Sequence, residues 1–80
     1  MNWQLIDNVP PPKNRLLLVA FEDDNHRRDA RFAMLKDNGR MYFSDRPSDL
    51  DDSYCESEDF EYLRTNAHEY PMYWSLFLWP

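Results

Sequence analysis

The alternation of apolar and polar positions divides the chain into short β-prone runs. Residues 15–22, RLLLVAFE, are a continuous apolar run between a proline-rich segment and the polar stretch EDDNH, which is typical of a strand buried on both faces. Residues 72–79 are apolar on both alternating faces, so this run is predicted to pair centrally or to close a barrel. Residues 3–6 predict an edge strand or a flap over the core, and the prolines at 10–12 end it.

The Asn38-Gly39 pair is the clearest local signal. It lies between two β-prone segments and is the preferred sequence for a two-residue type I′ hairpin turn. Gly39 is also the only glycine in the chain, so it stands where the turn needs a positive φ. Such a turn sets Leu35 opposite Tyr42. The hairpin face predicted to meet the core then carries four apolar side chains: Phe32, Met34, Met41 and Phe43.

Residues 57–66, SEDFEYLRTN, predict one short helix. Ser57 is a candidate N-cap, acidic residues follow it in the first turn, and Phe60 and Leu63 would dock on the sheet. The elements together predict a single domain over residues 1–80 that is mainly β, a β-rich α+β fold. We expect four or five antiparallel strands in a small curled sheet or an SH3-like barrel.

Composition indicates how so small a chain builds a core. An 80-residue domain has little core, but five Tyr, five Phe and three Trp supply large apolar side chains. Cys55 is the single cysteine, so no intramolecular disulfide can form, and a lone thiol fits a reducing compartment. The N-terminus lacks the pattern of a signal peptide, and no apolar run is long enough to span a membrane. These features predict a soluble cytoplasmic protein that does not contact membranes.

The formal charge of −6 is concentrated in residues 45–61, which we call the acidic segment. This segment holds eight acids and one base, Arg46, whereas residues 1–44 hold six acids and seven bases. Residues 62–80 hold one acid and one base. The net negative charge therefore comes from one stretch, and this asymmetry is the strongest functional signal in the sequence.

Several short motifs resemble a small uncharacterised domain family of tailed phages and prophages. The resemblance rests on Trp3 followed by Pro10, the strand RLLLVA, the hairpin ARFAMLKDNGRMYF and the closing strand YWSLFLWP. It covers about 50 of the 80 residues, and Tyr73 stands where the family has His. The family has no assigned activity, so the resemblance implies a compact β-rich fold and a phage-like origin, but no catalytic residue.

Familiar chemical sites fit the acidic segment poorly. A calcium-binding loop starting at Asp49 would need Gly at its sixth position and Glu at its twelfth, where Tyr54 and Phe60 stand. Cys55, His26 and His68 lack the paired spacing of a zinc site. The acids around Cys55 disfavour its thiolate, which argues against a nucleophile. We therefore predict no enzyme activity, no metal and no cofactor; direct nucleic-acid binding is disfavoured by the charge.

Three interpretations of the acidic segment stay open. It could be a solvated loop that confers solubility, or a surface for a basic protein partner, with rings as anchors. In the third interpretation, the acidic segment makes no partner contact, and the closing strand Tyr73–Trp79 forms a homodimer. The partner-binding residues predicted by the second interpretation are Asp49, Asp51, Asp52, Tyr54, Glu56, Glu58, Asp59, Phe60 and Glu61.

The sharpest functional hypothesis combines the acidic surface with the phage resemblance. Residues of an extended strand advance about 3.3 Å, close to the roughly 3.4 Å of axis per phosphate in each DNA strand. An acidic ridge could therefore mimic DNA in the basic channel of a host nucleic-acid-binding defence complex. The sequence thus predicts a non-enzymatic anti-CRISPR or anti-restriction inhibitor acting in the host cytoplasm. The alternative is a small homo-oligomeric structural or accessory phage protein.

Overall fold

Six antiparallel strands form one open sheet in the computed structural model of the chain. The structure describes residues 3–22, 25, 28–51 and 55–77. The strands are β1 (Gln4–Leu5), β2 (Leu17–Glu22), β3 (Arg28–Leu35), β4 (Arg40–Ser44), β5 (Glu56–Asp59) and β6 (Met72–Leu76), in the spatial order β1-β6-β2-β3-β4-β5. The helices are α1 (Phe60–Thr65) and two 3-10 helices, Pro47–Asp51 and Asn66–His68.

This architecture confirms the predicted mainly-β fold with one short helix. The sheet is not closed into a barrel, because β1 and β5 are its two outer strands. The predicted edge strand at residues 3–6 is β1, and the apolar runs at 15–22 and 72–79 give β2 and β6, which are both paired on two sides. Among the described residues, no helix is long and apolar enough to cross a membrane.

The hairpin between β3 and β4 forms where it was predicted, but its register differs by one residue. Leu35 pairs with Met41 rather than with Tyr42. The Lys36 N–H donates to the Arg40 carbonyl (3.0 Å), so the loop has three residues, Asp37-Asn38-Gly39, instead of two. Gly39 has φ +81°, whereas Asn38 does not have the positive φ that a type I′ turn requires at both central positions.

The shift in register changes which side chains share a face. The predicted core set of Phe32, Met34, Met41 and Phe43 was wrong in half of its members. Phe32 and Met34 point away from the core, because a shift of one residue moves every side chain of one strand to the opposite face.

One face of the sheet, the core face, carries the hydrophobic core. Leu17, Val19 and Met41 are fully buried on it, and Trp74 is 8% exposed. Ile6, Phe60 and Ala67 cover this face from the chain segments that cross it. The buried members of this cluster are Ile6, Leu17, Val19, Ala33, Leu35, Met41, Phe43, Phe60, Ala67 and Trp74.

Residues 7–14, which we call the strap, cross the core face beside α1. The indole N–H of Trp74 donates to the Val9 carbonyl (2.6 Å), and the Asn14 N–H donates to the Leu35 carbonyl (2.7 Å). Asp7 joins the strap to the helical region, since its carboxylate lies 3.4 Å from Arg64 Nε and 3.6 Å from His68 Nε2. The strap and α1 together close this side of the sheet.

The helix begins later than predicted. Asp59, not Ser57, is the N-cap, and its side chain accepts a hydrogen bond from the Tyr62 N–H (3.0 Å). Ser57 instead pairs with Tyr42 in β5. A carboxylate caps a helix as well as a serine hydroxyl does, so Asp59 can replace Ser57 as the cap. Ser57 then stays in the strand, which continues to Asp59 before the helix begins.

Candidate functional site

The acidic segment supplies the outermost strand of the sheet. In β5, Glu56 and Glu58 pair with Phe43 and Met41 and so point to the core-face side, while Asp59 points to the other side. Glu61 follows in the first turn of α1. These four carboxylates, Glu56, Glu58, Asp59 and Glu61, are called the acidic edge below. The side chains of Glu56 and Glu61 are 70% and 72% exposed.

Arg31 neutralises part of this charge. Its guanidinium lies 2.7 Å from Glu56 Oε2 and 3.4 Å from Asp45 Oδ1, and the Arg31 side chain is only 25% exposed. The hydrogen bond to Glu56 is the main reason that the pKa of Arg31 is raised above its usual value; partial burial acts in the opposite direction. No sequence motif predicts this pairing, because Arg31 lies two strands away from β5.

Side chains also occupy two of the outer backbone groups of β5. The Phe60 N–H donates to the Gly39 carbonyl (3.0 Å), so the backbone groups of Phe60 point toward the β3–β4 hairpin. In an antiparallel pair, the backbone groups of successive residues point alternately toward and away from the partner strand, so those of Ser57 and Asp59 point outward. The Ser57 carbonyl accepts from Arg40 (3.2 Å), and the Asp59 N–H donates to Glu58 Oε1 (3.0 Å). With those groups occupied, strand addition at this edge is disfavoured, and a partner would contact side chains.

A tyrosine lies next to the acids. Tyr62 is 59% exposed on α1, one residue after Glu61, and Glu61 itself lies 3.4 Å from Arg64 Nη1. Phe60, which the sequence predicted as a partner-binding ring, is 8% exposed and belongs to the core cluster. The buried ring fixes the start of α1, and Tyr62 is the ring that a partner could reach.

The remaining predicted site residues are less informative. Asp49 is part of the 3-10 helix Pro47–Asp51, and its carboxylate accepts a hydrogen bond from the Ser44 hydroxyl (3.2 Å). Asp51 ends that helix, while Asp52 and Tyr54 lie outside the described residues. The structure therefore brings Glu56, Glu58, Asp59 and Glu61 together, with Asp49 apart from them beyond the end of β4.

Cys55 immediately precedes the acidic edge. Its thiol donates to the Phe43 carbonyl (3.2 Å) and is partly buried. Within the part of the chain that the structure describes, no group of three or more His, Cys, Asp and Glu side chains is arranged to hold a metal ion. The thiol thus contributes a hydrogen bond to the end of the β4–β5 pairing.

The second face of the sheet, the open face, is a feature that the sequence prediction missed. Its central positions carry Leu18, Phe32 and Met34, which are all partly exposed, where an antiparallel sheet usually presents polar residues to water. The Phe32 and Phe77 rings meet edge to face, 5.4 Å apart. At its margin, Trp3 and Tyr73 are 42% and 41% exposed and line an open groove. The correct hairpin register would have revealed this face, since it moves Phe32 and Met34 there.

Comparisons with known proteins do not extend this picture. No family model, no curated protein and no solved structure matches the chain. Interpretation of the two surfaces therefore rests on their own geometry and chemistry.

Proposed function

We propose that the protein acts by binding rather than by catalysis, and that its acidic edge contacts a basic protein surface. The observation that carries this proposal is the placement of Glu56, Glu58, Asp59 and Glu61 together on an outer strand and the helix turn that follows it. β5 has a neighbouring strand on one side only, so these four carboxylates lie together along one margin of the molecule. Tyr62 adds an exposed ring of the kind enriched in binding hot spots.

The partner that best fits such an edge is a surface that normally binds nucleic acid. Glu56 and Glu58 lie on the same side of β5 two residues apart, about 6.6 Å, which is close to twice the roughly 3.4 Å of axis per phosphate in each DNA strand. The edge is also held in place before binding, because Arg31 and Arg40 bridge β5 to the neighbouring strands. A preorganised row of carboxylates loses less entropy on binding than a mobile acidic tail.

The phage-like motifs in the sequence suggest which nucleic-acid-binding protein this is. A phage protein that occupies a DNA channel in the host cytoplasm would protect the phage genome from a CRISPR effector or a restriction enzyme. We therefore propose an inhibitor of such a complex that competes with its DNA. The net charge of −6 supports a basic protein as the partner and disfavours direct binding to nucleic acid.

The test is a binding assay against purified guide-loaded CRISPR effectors and restriction enzymes, followed by competition with their target duplex DNA. The proposal predicts that at least one complex binds the protein and that the target DNA releases it. Failure of every complex to bind, or binding that target DNA leaves unchanged, would contradict the proposal.

A pair of charge-matched variants locates the contact. The edge variant combines Glu56→Gln, Glu58→Gln and Asp59→Asn, which keep the acceptor oxygens but remove three charges. The control variant combines Asp29→Asn, Asp37→Asn and Glu69→Gln, so both variants change the net charge from −6 to −3. We expect the edge variant to bind about a hundredfold more weakly, at about 1 kcal/mol for each charge, and the control variant to bind nearly as the parent.

A further inference from the structure

A cavity of about 240 Å³ lies at one end of the core face, where β2 and β6 meet the helical region. Phe21 and Met72 pair across these two strands and form one wall of the cavity, and Leu63 of α1 lies in another. Tyr62 and Tyr70 also line it, and they are 59% and 53% exposed. The cavity thus combines apolar walls with two tyrosine rings that reach solvent.

Asn66, which also lines the cavity, holds the backbone of both tyrosines. Its side-chain amide donates to the Tyr62 carbonyl (2.8 Å), and its own carbonyl accepts from the Tyr70 N–H (2.8 Å). The Tyr62 N–H donates in turn to the carboxylate of Asp59. The two sides of the cavity are therefore fixed before any ligand arrives, which lowers the entropic cost of binding there.

The chemistry of the lining favours a positively charged occupant. Among the described residues that line the cavity, Glu22 is the only charged one. The faces of tyrosine rings attract cations, and apolar walls suit the hydrocarbon stem of a long basic side chain. The residues that precede the two tyrosines, Glu61 and Glu69, are acidic as well. An anion would meet repulsion at this cavity, whereas a basic side chain would find a partner for its stem and for its charge.

We propose that the cavity binds an arginine side chain of the basic partner, with the guanidinium against Tyr62 and Tyr70 and hydrogen-bonded to Glu22. Sites that enclose a whole small molecule measure about 300–1,000 Å³, so the smaller volume here suits a single side chain. Arginine fits this lining better than lysine does, because a guanidinium is planar, stacks on aromatic faces and is more weakly hydrated than an ammonium group.

The cavity deepens the proposed function, because it lies next to the acidic edge. The edge ends at Glu61, and Tyr62 follows directly on α1, so one basic surface can reach both sites. The proposal rests on the partner being a basic protein, but not on that protein binding nucleic acid. Exposed ion pairs contribute little affinity by themselves, so an anchor that enters a cavity gives the acidic edge a specific partner.

Short peptides test the cavity without the partner. The probe is acetyl-Gly-Arg-Gly-amide, and its neutral match carries citrulline, which has nearly the shape of arginine but no charge. In protein labelled with ¹³C at the methionine methyl groups, we expect the arginine probe to shift the Met72 resonance with a dissociation constant in the millimolar range. Met34 on the open face and the fully buried Met41 should stay fixed. The matched citrulline, lysine and leucine probes should bind more weakly, the citrulline probe by about tenfold.

Single substitutions locate the contact. Tyr62→Leu and Tyr70→Leu keep an apolar side chain but remove the ring, and Glu22→Gln removes the charge, so each should weaken binding of the arginine probe by about tenfold. Tyr73→Leu is the matched control, because this tyrosine is 41% exposed but lies in the groove of the open face, and it should bind as the parent does. An unchanged Met41 resonance verifies that each variant is folded.

The titrations are made at one protein concentration, so that self-association stays constant. The homodimer expected from the sequence through Tyr73–Trp79 remains a prediction, and Trp79 lies outside the described residues.

The edge variant separates this proposal from the proposed function, since it should bind the arginine probe nearly as the parent does. If the probe binds but no nucleic-acid-binding complex does, the proposed function fails and the arginine site stands. Four results would overturn the arginine site: a Met72 resonance that does not respond to the arginine probe, a citrulline, lysine or leucine probe that binds as tightly, tyrosine variants at 62 and 70 that bind like the parent, or a Tyr73→Leu control that loses binding equally.

Discussion

Asp59 has two roles at the scale of a single residue, because it caps α1 and also carries charge on the acidic edge. Its carboxylate accepts the hydrogen bond of the Tyr62 N–H, which has no partner within the helix. We expect Asp59→Ala to lower the free energy of unfolding by about 0.5–2 kcal/mol and Asp59→Asn to change it little. Urea denaturation measures both. Glu61→Gln, at an exposed position, serves as the control, and equal losses for Ala and Asn at position 59 would argue against a capping role.

Gly39 tests the conformation of the hairpin loop. It has φ +81°, and a Cβ atom built at this position would meet no heavy atom within 4 Å. The cost of Gly39→Ala should therefore come from the backbone alone, about 1–2 kcal/mol, and Gly39→Asn should cost less because Asn tolerates this region. Thermal unfolding of the two variants measures their losses of stability. A loss for Gly39→Ala several times larger than this would show that the added methyl group meets a steric contact, and would contradict the prediction.

At the scale of the element, the β3–β4 hairpin makes opposite predictions for two methionines. Met41 is fully buried on the core face, whereas Met34 is partly exposed on the open face. We expect Met41→Ala to cost about 2–5 kcal/mol and Met34→Ala to cost clearly less. Urea denaturation compares them. Similar losses for the two variants would support the two-residue turn, in which both side chains share the core.

The same hairpin shows what local sequence can and cannot predict. Its existence followed from Asn38-Gly39, but this pair also suits a three-residue loop with glycine at the last position, and only the sheet decides between the two. The start of α1 was missed for a similar reason, since Ser57 and Asp59 are both good caps and the pairing of β5 with β4 selects the second.

Long-range contacts explain the rest of what the sequence could not predict. The apolar runs of β2 and β6 correctly predicted two central strands, but the predicted burial of residues 15–22 on both faces was wrong, because the second face of β2 is only partly buried. The pairing of Arg31 with Glu56 joins residues 25 positions apart, so it depends on strand order rather than on any motif. The concentration of charge in residues 45–61 was visible in the sequence, but its placement on an outer strand was not.

At the scale of the whole molecule, the sheet separates three surfaces. The core face is closed by the strap and α1, the open face is apolar, and the acidic edge lies along β5 at one margin.

The dependence of binding on salt tests whether the carboxylates of the acidic edge contact a basic partner. For a partner complex identified in the binding assay, the dissociation constant would be measured across a range of sodium chloride concentrations for the parent, the edge variant and the control variant. We expect binding to weaken steeply with salt for the parent and the control variant, and much less steeply for the edge variant, because its interfacial charges are removed. Equal salt dependence for all three proteins would contradict it.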